Sequence, residues 1–67
     1  MNVMFYSVLS DNDKPIKIIN TTATFKKGDN VELDENLYEV VKTNYVVFEE
    51  VILYVYVKPI TNVKMFV

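Results

Sequence analysis

The stretch FKKGDNVELDENLYEVV, residues 25–41, decides the fold of this chain. Its glycine, Gly28, is the only one in the sequence and lies among polar residues, where its freedom to adopt positive φ favours a tight turn. Apolar and polar residues then alternate over 31–33, residues 34–36 supply a second turn, and residues 37–42 run back. The pattern predicts a β-hairpin whose loop has about three to five residues.

Outside this stretch, Val, Ile, Thr, Tyr and Phe dominate every segment between turn signals, which is typical of β-strands. Thr43-Asn44 is interpreted as a bulge or a break, and Pro59 ends a strand because it has no N–H to donate. Residues 20–27 suit a strand or an extended loop equally. Further strands are predicted over 3–9, 16–19, 45–48, 51–58 and 63–67, with turns at 11–15 and 49–50.

The pattern F-x-x-G-D-x-V-x-L, followed by Y-x-V-V, resembles the strand–turn–strand unit of small SH3-like barrels. Val31 and Leu33 on one strand and Tyr38 and Val40 on the next would then bury one face. The resemblance implies an all-β, five- or six-stranded SH3-like small barrel that forms a single domain over residues 1–67. Proteins with many unrelated functions share this fold, so the resemblance implies no particular activity. The absence of Trp argues against recognition of proline-rich peptides.

The composition argues against an enzyme. A chain of 67 residues is near the lower size limit for folding on one core, and it contains neither Cys nor His. Carboxylate pairs occur only in predicted turns, where solvated charge is the expected state, and no stretch has calcium-loop spacing. We therefore expect no catalytic residue, no cofactor and no metal site. The carboxylate pairs are Asp11/Asp13, Asp34/Glu35 and Glu49/Glu50.

All seven basic residues are Lys, and Asn, Ile and Tyr are abundant, a bias typical of AT-rich genomes. More loosely, the whole chain resembles short phage and prophage proteins of Gram-positive bacteria. The longest apolar run, residues 51–57, is far shorter than a membrane span. We expect a cytoplasmic protein, in the host cytoplasm if phage-encoded, without a membrane partner.

Two predicted strands are apolar on both faces. Tyr54 and Tyr56 share a face with Ile52, whereas the opposite face carries Val51, Leu53, Val55 and Val57. The first strand repeats this arrangement, with Met4, Tyr6 and Val8 opposite Val3, Phe5 and Leu9. Because a small barrel has one interior, one of the faces is expected to form an exposed apolar patch, and such patches mark protein interfaces. The predicted interface consists of Tyr6, Ile52, Tyr54 and Tyr56, and its simplest use is a homo-oligomer.

An alternative site is a basic patch of Lys26 and Lys27 with Phe25 and Lys17, an arrangement that suits single-stranded nucleic acid. The net charge of −2 and the absence of Arg argue against it, and lysines also keep strand edges soluble. The sequence therefore predicts a non-enzymatic protein–protein interaction module, an accessory or host-modulating protein of a phage or mobile element. The alternative is a small β-barrel nucleic-acid-binding protein.

Overall fold

The computed structural model describes residues 1–9 and 13–60, which form five β-strands in one sheet. The strands are β1 (Asn2–Ser7), β2 (Lys17–Asn20), β3 (Asn30–Leu33), β4 (Asn36–Val47) and β5 (Val51–Pro59). The sheet has the order β2-β1-β5-β4-β3 and curls into a nearly closed barrel. This confirms the all-β small-barrel prediction and is compatible with an SH3-like fold. The predicted strand at 63–67 lies outside the described residues.

The described part of the chain contains no helix long and apolar enough to cross a membrane. Its strands pair antiparallel except at the centre of the sheet, where β1 and β5 run parallel. Six residues of β1 are in register with six of β5, from Asn2 opposite Ile52 to Ser7 opposite Val57. The two strands most distant in sequence thus form the middle of the sheet.

The core lies on the inward face of this central pair. Leu53, Val55 and Val57 alternate inward along β5 and are inaccessible to solvent, as the sequence predicts. Leu9 was expected on the same face but is 72% exposed, because β1 ends at Ser7 before reaching it. The remaining buried apolar residues are Val3, Phe5, Leu33 and Val40. The predicted common face of β3 and β4 is confirmed, since Val31 and Tyr38 pack against this core.

The β3–β4 hairpin is tighter than predicted. Leu33 pairs directly with Asn36, so the loop consists of only Asp34 and Glu35, with φ values of 52° and 73°. Two successive positive φ values are the signature of a type I′ turn, whose twist matches that of the strands it joins. This turn also lies next to β2, because Lys17 Nζ is 2.9 Å from Asp34 Oδ1.

The Gly28 turn attaches to β4. Gly28 has a φ of 94°, and its N–H donates to the Val40 carbonyl oxygen at 2.9 Å. The Val40 N–H donates in return to the Asp29 carbonyl oxygen at 2.8 Å, while Asp29 Oδ2 accepts the Lys26 N–H. Residues 21–26 form no strand, which resolves the ambiguity of that segment in favour of a loop.

β4 continues unbroken through Thr43-Asn44, so of the two predicted alternatives, a bulge or a break, the break is wrong and the strand contains a bulge. The irregularity lies earlier, because Val40 pairs with Val57 and Lys42 with Tyr56, which leaves Val41 as an extra residue. Such a β-bulge shifts the inward–outward alternation by one position. The shift keeps Val40 in the core and directs Lys42 outward.

We predict that Glu35→Gly raises the free energy of unfolding by about 1 kcal/mol, because Gly adopts positive φ without the steric cost that Glu bears. Gly28→Ala provides the converse test. A Cβ at Gly28 would meet nothing within 4 Å, so backbone strain alone should lower stability, by about 1 kcal/mol. Urea unfolding measures both changes. Equal stabilities for wild type and Glu35→Gly would contradict the turn assignment.

Deletion of Val41 should be tolerated better than deletion of Thr43. The first deletion removes the extra residue and leaves both the inward and the outward residues of β4 in place. The second restores regular alternation only by turning Lys42 into the core, and an unpaired buried ammonium costs several kcal/mol. Circular dichroism and urea unfolding of the two variants compare them. If both deletions cost the same, the bulge does not set the alternation.

Candidate functional site

Three tyrosines lie together on the outward face of the two central strands. Tyr6 of β1 is in register with Tyr56 of β5, and Tyr54 precedes Tyr56 by one full alternation on the same face. The Tyr6 ring centroid is 5.9 Å from that of Tyr56, in a stacked arrangement, and 5.5 Å from that of Tyr54. The rings of Tyr54 and Tyr56 meet edge to face at 6.5 Å. We call these three residues the tyrosine cluster.

Charged side chains flank the tyrosine cluster. Lys42 lies opposite Tyr56 in the β4–β5 register, and its Nζ is 5.0 Å from the Tyr56 ring centroid, a cation–π distance. Asp13 lies near Tyr6, after β1. Together with Ser7 and Val8, these residues bound an open depression of about 550 Å³. A partner that covered the rings would therefore meet a carboxylate and an ammonium at the rim.

The environment of Tyr6 raises the pKa of its phenol above the ordinary value of 10.0. Burial is the main cause, and the neighbouring Tyr54, Tyr56 and Asp13 add to it by disfavouring a further negative charge. The raised pKa keeps the Tyr6 hydroxyl protonated, and able to donate a hydrogen bond, to a higher pH than an ordinary tyrosine.

The structure places the four residues of the predicted protein interface on a single face. Ile52 is half-buried and lies one alternation before Tyr54 on β5. In the register it sits between Asn2 of β1 and Val46 of β4. Ile52 thus continues the face that carries the tyrosine cluster toward the end of the β4–β5 hairpin.

The four residues of the predicted basic patch are distributed differently. Phe25 is half-buried, and its ring meets Phe5 edge to face at 5.3 Å, so it packs against the core. Lys17 forms the ion pair with Asp34, with its side chain 39% exposed. Lys26 and Lys27 are exposed at the Gly28 turn.

The acidic residues of the β3–β4 hairpin do not face each other directly. Glu32 lies opposite Leu37, and Glu39 lies opposite Asn30. Glu39 Oε1 is also 3.7 Å from Lys58 Nζ on β5. Glu32 and Glu39 are therefore diagonal neighbours across the hairpin, and Glu39 has a cationic partner.

The far end of the β4–β5 hairpin carries exposed apolar residues that were not among the predicted site residues. There Tyr45 is 54%, Val47 71% and Phe48 88% exposed, although all three are apolar. In the β4–β5 register, Tyr45 and Val47 lie on the same face of the sheet as the core. They are nevertheless exposed, because β1 begins opposite Ile52 and does not extend to this end of the hairpin. The sequence contains a signal for this surface, because residues 45–48 are all apolar and are followed by the acidic turn at residues 49–50.

Among the described residues, no group of three or more Asp or Glu is arranged to hold a metal ion.

Comparison with known protein families found no family model that matches this chain. Comparisons with curated proteins and with solved structures found no match either. The tyrosine cluster and its charged rim therefore have to be interpreted from their own geometry.

The raised pKa of Tyr6 predicts how the protein responds to alkaline pH. Above pH 10 the tyrosines of the unfolded chain ionise while Tyr6 in the folded state retains its proton, so this residue makes folding less favourable as pH rises. A titration of tyrosinate absorbance should show a step that occurs at higher pH than the ionisation of an ordinary tyrosine. Tyr6→Phe should abolish the late step and weaken the alkaline loss of stability. A late step that persists in Tyr6→Phe would assign it to another tyrosine.

Proposed function

We propose that the protein is a non-enzymatic protein–protein interaction module whose contact surface is centred on the tyrosine cluster, with Ile52 at its border. The observation that supports this most is the mutual contact of three aromatic rings on the outward face of β1 and β5. These rings contribute nothing to the core, which is built by the opposite face of the same strands. A use outside the barrel therefore accounts best for them.

The composition of the surface fits a protein partner. Tyrosine supplies a large contact area at a small entropic cost, and it is enriched where interfaces carry most of their binding energy. The depression beside Tyr6 and Tyr54 provides a concave seat for a partner side chain. Asp13 and Lys42 add charges of opposite sign at the rim, which favour a partner with a complementary pair and so contribute to specificity.

We further propose that the protein acts in the cytoplasm as an accessory or host-modulating protein of a phage or other mobile element. Its small size and the exclusive use of Lys among its basic residues support this origin. The partner is then a host protein or a second copy of the chain. Nucleic-acid binding through Lys26 and Lys27 has less support, because Phe25 packs on Phe5 and Lys17 is paired with Asp34.

A pull-down from a Gram-positive lysate tests the proposal, with Tyr54→Lys compared with wild type and with Leu37→Lys as the matched control. Leu37 is also an exposed apolar strand residue, but it lies on β4 away from the tyrosine cluster. A specific protein should be captured by wild type and by Leu37→Lys, and its affinity should fall roughly thirtyfold with Tyr54→Lys, since a central aromatic contributes about 2 kcal/mol.

Half of each lysate is treated with nuclease. Capture that survives nuclease and is lost only with Tyr54→Lys supports the tyrosine cluster as the contact. Capture that disappears with nuclease, or that Lys26→Glu abolishes while Tyr54→Lys does not, would replace it with the basic turn.

A further inference from the structure

One edge of β4 is open over half its length. β3 pairs with residues 36–39 of β4, and residues 28–29 bond to Val40, but the pairing of β4 with β5 continues to Val47. Within residues 1–9 and 13–60, the segment 43–47 therefore has a strand neighbour on one side only. Every second residue of such a segment directs its backbone N–H and C=O away from the sheet. The open edge is a template for one more strand.

In the described part of the chain, the segment 43–47 lacks the features that normally prevent strand addition. Natural edge strands are protected by charged side chains, Pro, bulges or a covering loop. Between Thr43 and Phe48 the chain has no charged residue, no Pro and no Gly. Tyr45 and Val47 are instead more than half exposed. An unprotected and largely apolar edge is costly to leave in water, and a paired strand would remove this cost.

We propose that the open edge of β4 pairs with the same edge of a second copy of this chain, antiparallel, about a two-fold axis at Tyr45. Residues that face each other in a sheet must point to the same side, and the axis at Tyr45 satisfies this for the whole segment. Tyr45 then lies opposite Tyr45 of the second copy, Thr43 opposite Val47, and Asn44 opposite Val46. The two Tyr45 side chains meet at the axis, and Val46 and Val47 of one edge pack beside Asn44 and Thr43 of the other.

The charges at the two ends of the segment favour a second copy as the occupant. Lys42 lies immediately before it, whereas Glu49 and Glu50 follow it. Antiparallel pairing about Tyr45 brings Lys42 of each copy to the turn at residues 48–50 of the other, which carries Glu49 and Glu50, so opposite charges approach at both ends. A parallel arrangement would align like charges. The two-fold contact uses the same patch on both copies and stops at a dimer.

This inference goes beyond the proposed function and does not rest on the tyrosine cluster. The dimer joins an edge of the sheet, whereas Tyr6 and Tyr54 lie on its outward face at the central strands. The interaction face thus remains open to another protein, and each dimer presents it twice.

Single cysteines test the pairing, because the native chain has none. In Tyr45→Cys the two thiols face each other across the axis, at the Cα separation of about 5 Å that antiparallel neighbours share and a disulfide accepts. In the control Val47→Cys, the thiols are four residues apart along the strands, about 13 Å, which is too far for a disulfide. Mild oxidation should convert Tyr45→Cys to a covalent dimer at least roughly tenfold faster than Val47→Cys. Equal rates, or a faster Val47→Cys, would overturn the proposed register.

Light scattering after size exclusion supplies the second measurement. Wild type should have the mass of a dimer at about 100 μM, and Tyr45→Lys, which sets like charges opposite each other, should have the mass of a monomer with an unchanged circular dichroism spectrum. Tyr54→Lys should remain dimeric. A monomeric wild type overturns the inference, as does a monomeric Tyr54→Lys, which would locate self-association on the tyrosine cluster. Loss of lysate binding in a dimeric Tyr54→Lys separates this inference from the proposed function.

Discussion

The parallel pairing of β1 with β5 is the constraint on which the rest of the structure depends. Both strands lie in the middle of the sheet, and their register determines two surfaces at once. With Phe5 opposite Val55, the inward residues form the core, and with Tyr6 opposite Tyr56, the outward residues form the tyrosine cluster. Because side chains alternate with a period of two, a slip of one residue would exchange core and surface on one strand. The core therefore holds the tyrosines in place without any contribution from the rings themselves.

A barrel this small can bury only one face of its central strands. The apolar residues of β5 on the inward side are fully covered, whereas Tyr54 and Tyr56 on the other side are covered mainly by each other, by Tyr6 and by the Lys42 side chain. Mutual ring contact removes part of the aromatic surface from water and leaves the remainder available. The small core also explains why the end of the β4–β5 hairpin exposes apolar residues, because β1 does not extend to this end of the sheet.

Features that follow from local alternation could be predicted from the sequence, and features that follow from non-local pairing could not. The alternation of β5 identified both of its faces, and the turn signals around Gly28 located the β3–β4 hairpin. The two-residue loop was missed because Asp34 and Glu35 both take positive φ, which Glu rarely does. The bulge at Val41 leaves no compositional mark, since two adjacent Val residues suit a regular strand equally well. The sequence placed Tyr6 and Tyr54 in one predicted interface, but their ring contact depends on the parallel register of two strands separated by most of the chain, which no local pattern encodes.

The ion pair between Lys17 and Asp34 has a consequence for the motions of the barrel. It lies between the two terminal strands of the sheet, β2 and β3, each of which has a single hydrogen-bonded strand neighbour among the described residues. Both side chains are partly exposed, so their attraction is weak and is screened by salt. The barrel consequently has a seam, and transient opening there costs far less than separation of the central strands. We therefore expect the amide protons of β2 and β3 to exchange with solvent through this local opening. The amide protons in hydrogen bonds between β1 and β5 should exchange only on global unfolding.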